Sequence, residues 1–186
     1  MSASPTRILD FWFDEAGPKN WFAQSDGFDA KVRGEFEVDA IEAALSVGRS
    51  APHPWEDHKE GALALILMLD QFPRNMYRGT AAMFAWDKLA LAAAKRAVKN
   101  RFDIKTDQDR RAFFYMPYMH SENKDDQSEC VYLIDRGIDN ANTLFHAKAH
   151  RKVIDRFGRF PHRNDVLGRK STAEEMKYLD EGGYTP

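Results

Sequence analysis

Apolar residues recur along this chain at helical spacing, and no run of β-branched residues alternates with polar ones, so the pattern predicts helices and no strand. Ser4-Pro5 reads as a helix opening, because serine caps free amides and proline fits the first turn. Ile8, Leu9, Phe11, Trp12 and Phe13 supply its apolar surface, and Gly17-Pro18 ends it. Asp26 is expected to cap a helix carrying Phe28, Val32, Phe36, Ile41 and Leu45 on one stripe, closed by Gly48. His53-Pro54-Trp55 reads as a loop. A third helix, from about Glu56 to Phe72, is nearly all apolar in its second half, which marks it as central, and Pro73 is expected to stop it.

Thr80 is expected to cap a long Ala-rich helix through Val98. Asp107 should open a helix containing Phe113, Phe114 and Tyr115 that must kink or restart at Pro117. Periodic segments from Asp125 to Arg136 and from Ile138 to Phe157 follow. A loop from Gly158 to Gly168 then leads to a short helix opened by a capping box at Ser171 and Glu174 and ending at Leu179. The expected fold class is all-α: about eight helices over one domain spanning 1–186, stacked as antiparallel pairs because the connections are short.

Composition narrows the setting. The 186 residues are 43% hydrophobic and 12% aromatic, far from a disordered composition and enough for one core. The single cysteine, Cys130, can form no internal disulfide, and the N-terminal residues lack the basic and apolar regions of a secretory signal, so a cytoplasmic location is expected. The longest apolar run, Gly61 to Leu69, is about half of the roughly 20 residues a membrane span needs, so no membrane association is expected. The formal charge of −2 provides no global attraction to nucleic acid, although eight basic residues face only two acidic ones between Phe145 and Lys170.

Three stretches combine polar groups with turn residues in a way that packing alone does not demand. They are Leu69 to Gly79, Phe113 to Glu122, and His150 to Asp165. With Asp70-Gln-Phe-Pro-Arg-Asn75, Pro117 with His120-Ser-Glu122, and Arg156-Phe-Gly-Arg-Phe-Pro-His-Arg-Asn164 followed by Leu167-Gly-Arg169, the chain resembles a family of uncharacterised bacterial proteins, domain of unknown function 924, over nearly its whole length. The resemblance implies an all-helical, tetratricopeptide-like fold and an intracellular setting; it implies no reaction.

The chemistry therefore has to come from the residues. Asp70, Gln71, Arg74, Asn75 and Arg78 lie where a buried helix exits, so the arginines can satisfy its last carbonyls or hold a carboxylate or phosphate in bidentate fashion. Internal pairing is the more ordinary fate of a buried arginine. Arg111, Tyr115, Tyr118 and Glu122 would share one face if the helix survived Pro117. His120 and Glu122 could form a proton-transfer pair, since burial raises a glutamate pKa and lowers that of a histidine; a satisfied hydrogen-bond network at a proline kink is the competing explanation. His146 and His150 have the i, i+4 spacing of metal ligands, with His162 as a third, but no closed ligand set accompanies them and no metal is expected. His150, Arg159, His162, Arg163 and Asn164 fit better as an anion-reading or loop-ordering cluster.

No glycine-rich dinucleotide fingerprint, phosphate loop or nucleophile elbow is present, and no cofactor is expected. Three functions remain open at this point. The first is a binding module whose polar cleft of Arg74, Arg78, Tyr115, Tyr118, His150 and Arg163 takes an acidic small molecule or a peptide carboxylate. The second is a hydrolase-like enzyme using Glu122 with His120 or His162 as acid and base. The third is RNA binding through the basic 145–170 segment.

Overall fold

The computed structural model of the protein describes residues 3–185. Helix α1 (Pro5–Leu9) opens as its sequence predicts: Ser4 Oγ accepts the Arg7 amide at 3.2 Å and Pro5 occupies the first turn. It runs on as a π-helical segment, Asp10–Ala16, and stops at Gly17, whose φ of 66° suits glycine alone. After the short α2 (Pro18–Trp21), α3 spans Asp26–Arg49. Ser25, not Asp26, is its cap, because the extended Ser25 backbone aims its hydroxyl at the Phe28 amide; Gly48 lies within the helix, which ends at Ser50.

The expected stripe on α3 also needs correction. Val32, Phe36, Ala40, Ala43, Ala44 and Val47 face inward, while Ile41 and Leu45 are 39% and 53% exposed. Alanines on the inner face let α3 and α5 approach closely, so the larger residues are left outside. The segment read as a loop is a 3₁₀ turn, Pro54–Asp57, held by a reciprocal cap in which Glu56 accepts the His53 amide at 2.8 Å.

The central helix behaves differently at Pro73 than expected. Helix α4 (Lys59–Ile66) passes into a π-helical segment, Leu67–Gln71, and continues as α5 (Phe72–Met76) with Pro73 in its first turn. In the π segment the Phe72 amide reaches back five residues to Leu67, and this wider turn accommodates the proline ring. The Asp70 carbonyl accepts Arg74 Nη1 at 2.6 Å. Every residue from Gly61 to Pro73 is buried, with α1, α6 and α7 packed around α4.

Thr80 precedes a 3₁₀ turn, Ala81–Phe84, and the alanine-rich α6 begins later, at Asp87, and runs to Lys99. Its buried face is Ala90, Ala93, Ala94 and Ala97, an i, i+3, i+4, i+7 set. Helix α7 (Gln108–Met119) neither restarts nor splits at Pro117, because only the last turn follows the proline. That end is secured from outside: Gln127 Nε2 donates to the carbonyls of Tyr118, Met119 and Ser121 at 3.3, 2.7 and 2.7 Å. Helices α8 (Lys124–Gly137) and α9 (Ala141–Phe157) are capped by Asn123 and Asn140, and α9 closes on Gly158 with φ of 70°. The capping box of α10 (Ala173–Asp180) is Thr172 and Glu175, one residue later than expected, because the Ser171 hydroxyl is taken by Asn164.

Consecutive helices α6, α7, α8 and α9 lie side by side. No strand occurs among the described residues, and no helix among them is long and apolar enough to cross a membrane. The fold brings the end of α5, the end of α7 and the connector between α9 and α10 together.

Gly61 sets helix propensity against packing. An added Cβ would meet the Trp55 carbonyl oxygen at 2.2 Å, so the roughly 1 kcal/mol that alanine gains over glycine in a helix cannot be realised. Gly61→Ala is expected to destabilise the protein by about 1–3 kcal/mol in denaturant unfolding; a gain in stability would show that α4 and the 54–57 turn do not pack this closely.

Candidate functional site

Asp70 is fully buried at the π segment and three neighbours surround its carboxylate. Gln71 Nε2 donates to Oδ2 at 2.6 Å, while His120 Nδ1 and Arg74 Nη1 lie 2.8 and 3.3 Å from Oδ1. Burial alone would raise the Asp70 pKa, but Arg74 and His120 prevail and hold it well below the usual carboxylate range. An ionised Asp70 only accepts, so His120 Nδ1 donates and its Nε2 is the unprotonated nitrogen. Burial, then the Arg74 charge, lowers the His120 pKa and keeps the ring neutral. Nε2 makes no hydrogen bond among the described residues, and the ring lines a cleft of about 330 Å³.

Arg74 is fully engaged. Beyond the Asp70 carbonyl it grips Asp87 with both terminal nitrogens, at 2.9 and 3.1 Å. Arg78 forks onto Asp29 at 2.6 and 3.0 Å, and Asn75 donates to the same carboxylate at 2.7 Å. Both arginines and Asn75 border the cleft, but each already donates to a carboxylate.

Arg163 differs from them. Its side chain is 7% exposed and its guanidinium lies between the Phe84 and Phe160 rings, 4.6 and 4.4 Å from their centroids. Its Nε is buried with no partner, and no side-chain hydrogen bond from it forms among the described residues. Its one ion-pair contact among them is Asp87 Oδ2 at 3.5 Å. Burial, then the nearby Arg74, lowers its pKa to about 10, so it remains charged at neutral pH. A buried cation with unmet donors at a cleft wall keeps hydrogen-bonding capacity that the protein itself does not use.

The remaining sequence-predicted residues lie elsewhere or hold the frame. His162 lines the same cleft, its pKa lowered to about 4 by burial and Arg163. His150 lines an adjoining cavity, donating Nδ1–H to the His146 carbonyl at 2.8 Å. Burial depresses its pKa to about 3. Among the described residues no three His, Cys, Asp or Glu groups are placed to hold a metal ion.

Glu122 accepts the Phe160 amide at 2.8 Å and both terminal nitrogens of Arg169 at 2.7 and 3.0 Å. Although burial pushes its pKa up, the Arg169 hydrogen bond and the Phe160 amide lower it overall, opposite to the shift a general acid needs. It ties the connector to α7. Arg159 and Asn164 bind Glu175 instead of lining the cleft. Tyr115 donates to Asp103 at 2.8 Å, and Tyr118 packs near Lys95; neither reaches the cleft. Residues missed in the sequence are Asp87, Phe84 and Phe160, which pin and sandwich the arginines, and Gln127, which holds the end of α7. The single available signal was an acid in the first turn of α6.

The profile of a family described as bacterial protein of unknown function (DUF924) matches residues 8–183. The chain belongs to this family. A solved structure described as a protein of unknown function from Agrobacterium tumefaciens is 40% identical, with a TM-score of 0.85, covering 96% of this chain and 97% of its own. Comparison with curated proteins finds no match. The shared fold of the family thus comes without an assigned reaction.

The histidine shifts carry a pH dependence. Folded values of about 3 for His150 and about 4 for His162 lie below the ordinary 6.5, so between these limits the unfolded chain binds more protons and stability falls as pH is lowered. From about pH 6.5 down to about pH 4 the fall should approach 1.4 kcal/mol per pH unit for each histidine. Denaturant unfolding across that range should show it, and His150→Gln should flatten the slope; an equal slope in both proteins would remove His150 from the linkage.

Proposed function

We propose that the protein binds an acidic small molecule whose carboxylate is received by Arg163 in the cleft between α5, α7 and the 158–172 connector. The observation that carries this is the Arg163 guanidinium itself: buried, held between two aromatic rings, and without a hydrogen-bonded partner among the described residues. A carboxylate in the cleft would be received by the terminal nitrogens of Arg163, which make no hydrogen bond among the described residues. The sequential packing of α6 to α9 supports the helix-pair, tetratricopeptide-like description, and the buried thiol of Cys130 suits a cytoplasmic protein. RNA binding ranks lower, because Arg156, Arg159 and Arg169 of the basic segment are paired with Glu174, Glu175 and Glu122.

Arg163→Met separates a binding role from a structural one. Replacing a buried, poorly paired cation by an apolar side chain should leave stability within about 1 kcal/mol or raise it. Carboxylate affinity, read by calorimetry with small monocarboxylates, should fall about 10- to 100-fold. A variant that loses several kcal/mol of stability while binding equally well would refute the reading.

One observation favours a catalytic second reading. The Asp70–His120 pair presents an unprotonated Nε2 to the same cleft, the arrangement of a general base whose ring is oriented by a buried carboxylate. In this reading His120 acts without Glu122. In a screen of hydrolysable esters and amides of carboxylic acids, any turnover found should drop by about 100-fold or more in His120→Ala. Turnover equal to that of the parent protein would exclude His120.

A further inference from the structure

The cleft holding Arg163 does not end at His120. A second cavity of about 520 Å³ begins there, and Phe22, Met116 and His120 are walls of both. The second cavity continues along Met119 and Thr143 towards His146, His150 and Tyr184. The polar groups at that far end are committed to one another: the Tyr184 hydroxyl is 2.8 Å from His146 Nδ1, and His150 Nδ1 donates to the His146 carbonyl. What the cavity offers along its length is mainly apolar surface, with Phe22, Met116 and Met119 among its walls.

Resting on the anion reading above, we propose that the ligand is an amphipathic monocarboxylate, with its acid head on Arg163 and its apolar chain passing His120 into the second cavity. Head and chain then meet complementary surroundings. The two cavities adjoin at Phe22, Met116 and His120, so a chain that leaves the head site past these side chains enters the second cavity. The cavity is of the size that takes a small organic ligand, and its lining has the mix of apolar wall and few polar groups that such sites show. Three aspartates, Asp70, Asp87 and Asp29, already match Arg74, Arg163 and Arg78 in charge, so what an acid head supplies is hydrogen-bond acceptors for Arg163, which has no hydrogen-bonded partner among the described residues.

The experiment is calorimetric titration of the full chain with straight-chain carboxylates from butanoate to decanoate and with 1-octanol. Affinity should tighten about fourfold per added methylene until the cavity is filled. 1-Octanol should bind at least tenfold more weakly than octanoate. Thr143→Trp, which fills the second cavity, should erase the dependence on chain length while leaving butanoate binding intact; that retained binding also reports that the variant is folded. Carboxylates that bind with no dependence on chain length would overturn this inference and leave the anion reading standing. Equal binding of 1-octanol and octanoate would overturn it as well. No carboxylate binding at any length would overturn both.

Discussion

One carboxylate organises this molecule. Asp70 sits where water does not reach, and an ionised group in that position persists only if the protein replaces its hydration. Gln71, Arg74 and His120 supply that replacement from two helices far apart in sequence. Each partner then carries the order outward. Arg74 pins Asp87 at the start of α6, and His120 is fixed in one tautomer at the end of α7. Remove the carboxylate and a buried guanidinium loses one counter-ion while a buried imidazole loses its orientation.

The architecture and the site divide along different physical lines. The core is built by close packing, with aromatic rings of Phe11, Trp12, Phe36 and Phe72 in mutual contact and alanine faces on α3 and α6. The cleft and the connector beside it are held by ion pairs that are nearly all closed: Arg78 with Asp29 at the cleft, Arg169 with Glu122 and Arg159 with Glu175 behind it. Against that background Arg163 stands out. Each of these neighbours reaches a carboxylate at hydrogen-bond distance, and Arg163 comes no nearer to one than 3.5 Å.

Much of the scaffold could be read from local chemistry. Ser4-Pro5, Gly17 and Gly158 mark helix ends in the chain as they do in space, because caps depend on one or two residues. The positions that escaped depend on long-range packing. Ile41 and Leu45 looked like core residues until the alanines of α3 proved to be its inner face. Tyr115 and Tyr118 lie in the right stretch yet face away from the cleft, whereas Asp70, Arg74, His120 and Arg163 were legible as polar groups at turns and do converge. Asp87 and the two rings around Arg163 carried no comparable signal, since an acid in a first helical turn and a phenylalanine near a proline are ordinary in any helical protein.

The π-helical segment at Leu67–Gln71 has a consequence for how this chain can vary. Such a segment is in effect one residue more than the α-helical path requires, and each residue turns an α-helix by about 100°. Deleting a single residue there would restore regular winding with the flanking turns on their bearings, but it would remove the wide turn that sets Asp70 beside Gln71, Arg74 and His120. The extra residue therefore serves the local geometry around one carboxylate, and the direction in which the helix runs does not depend on it.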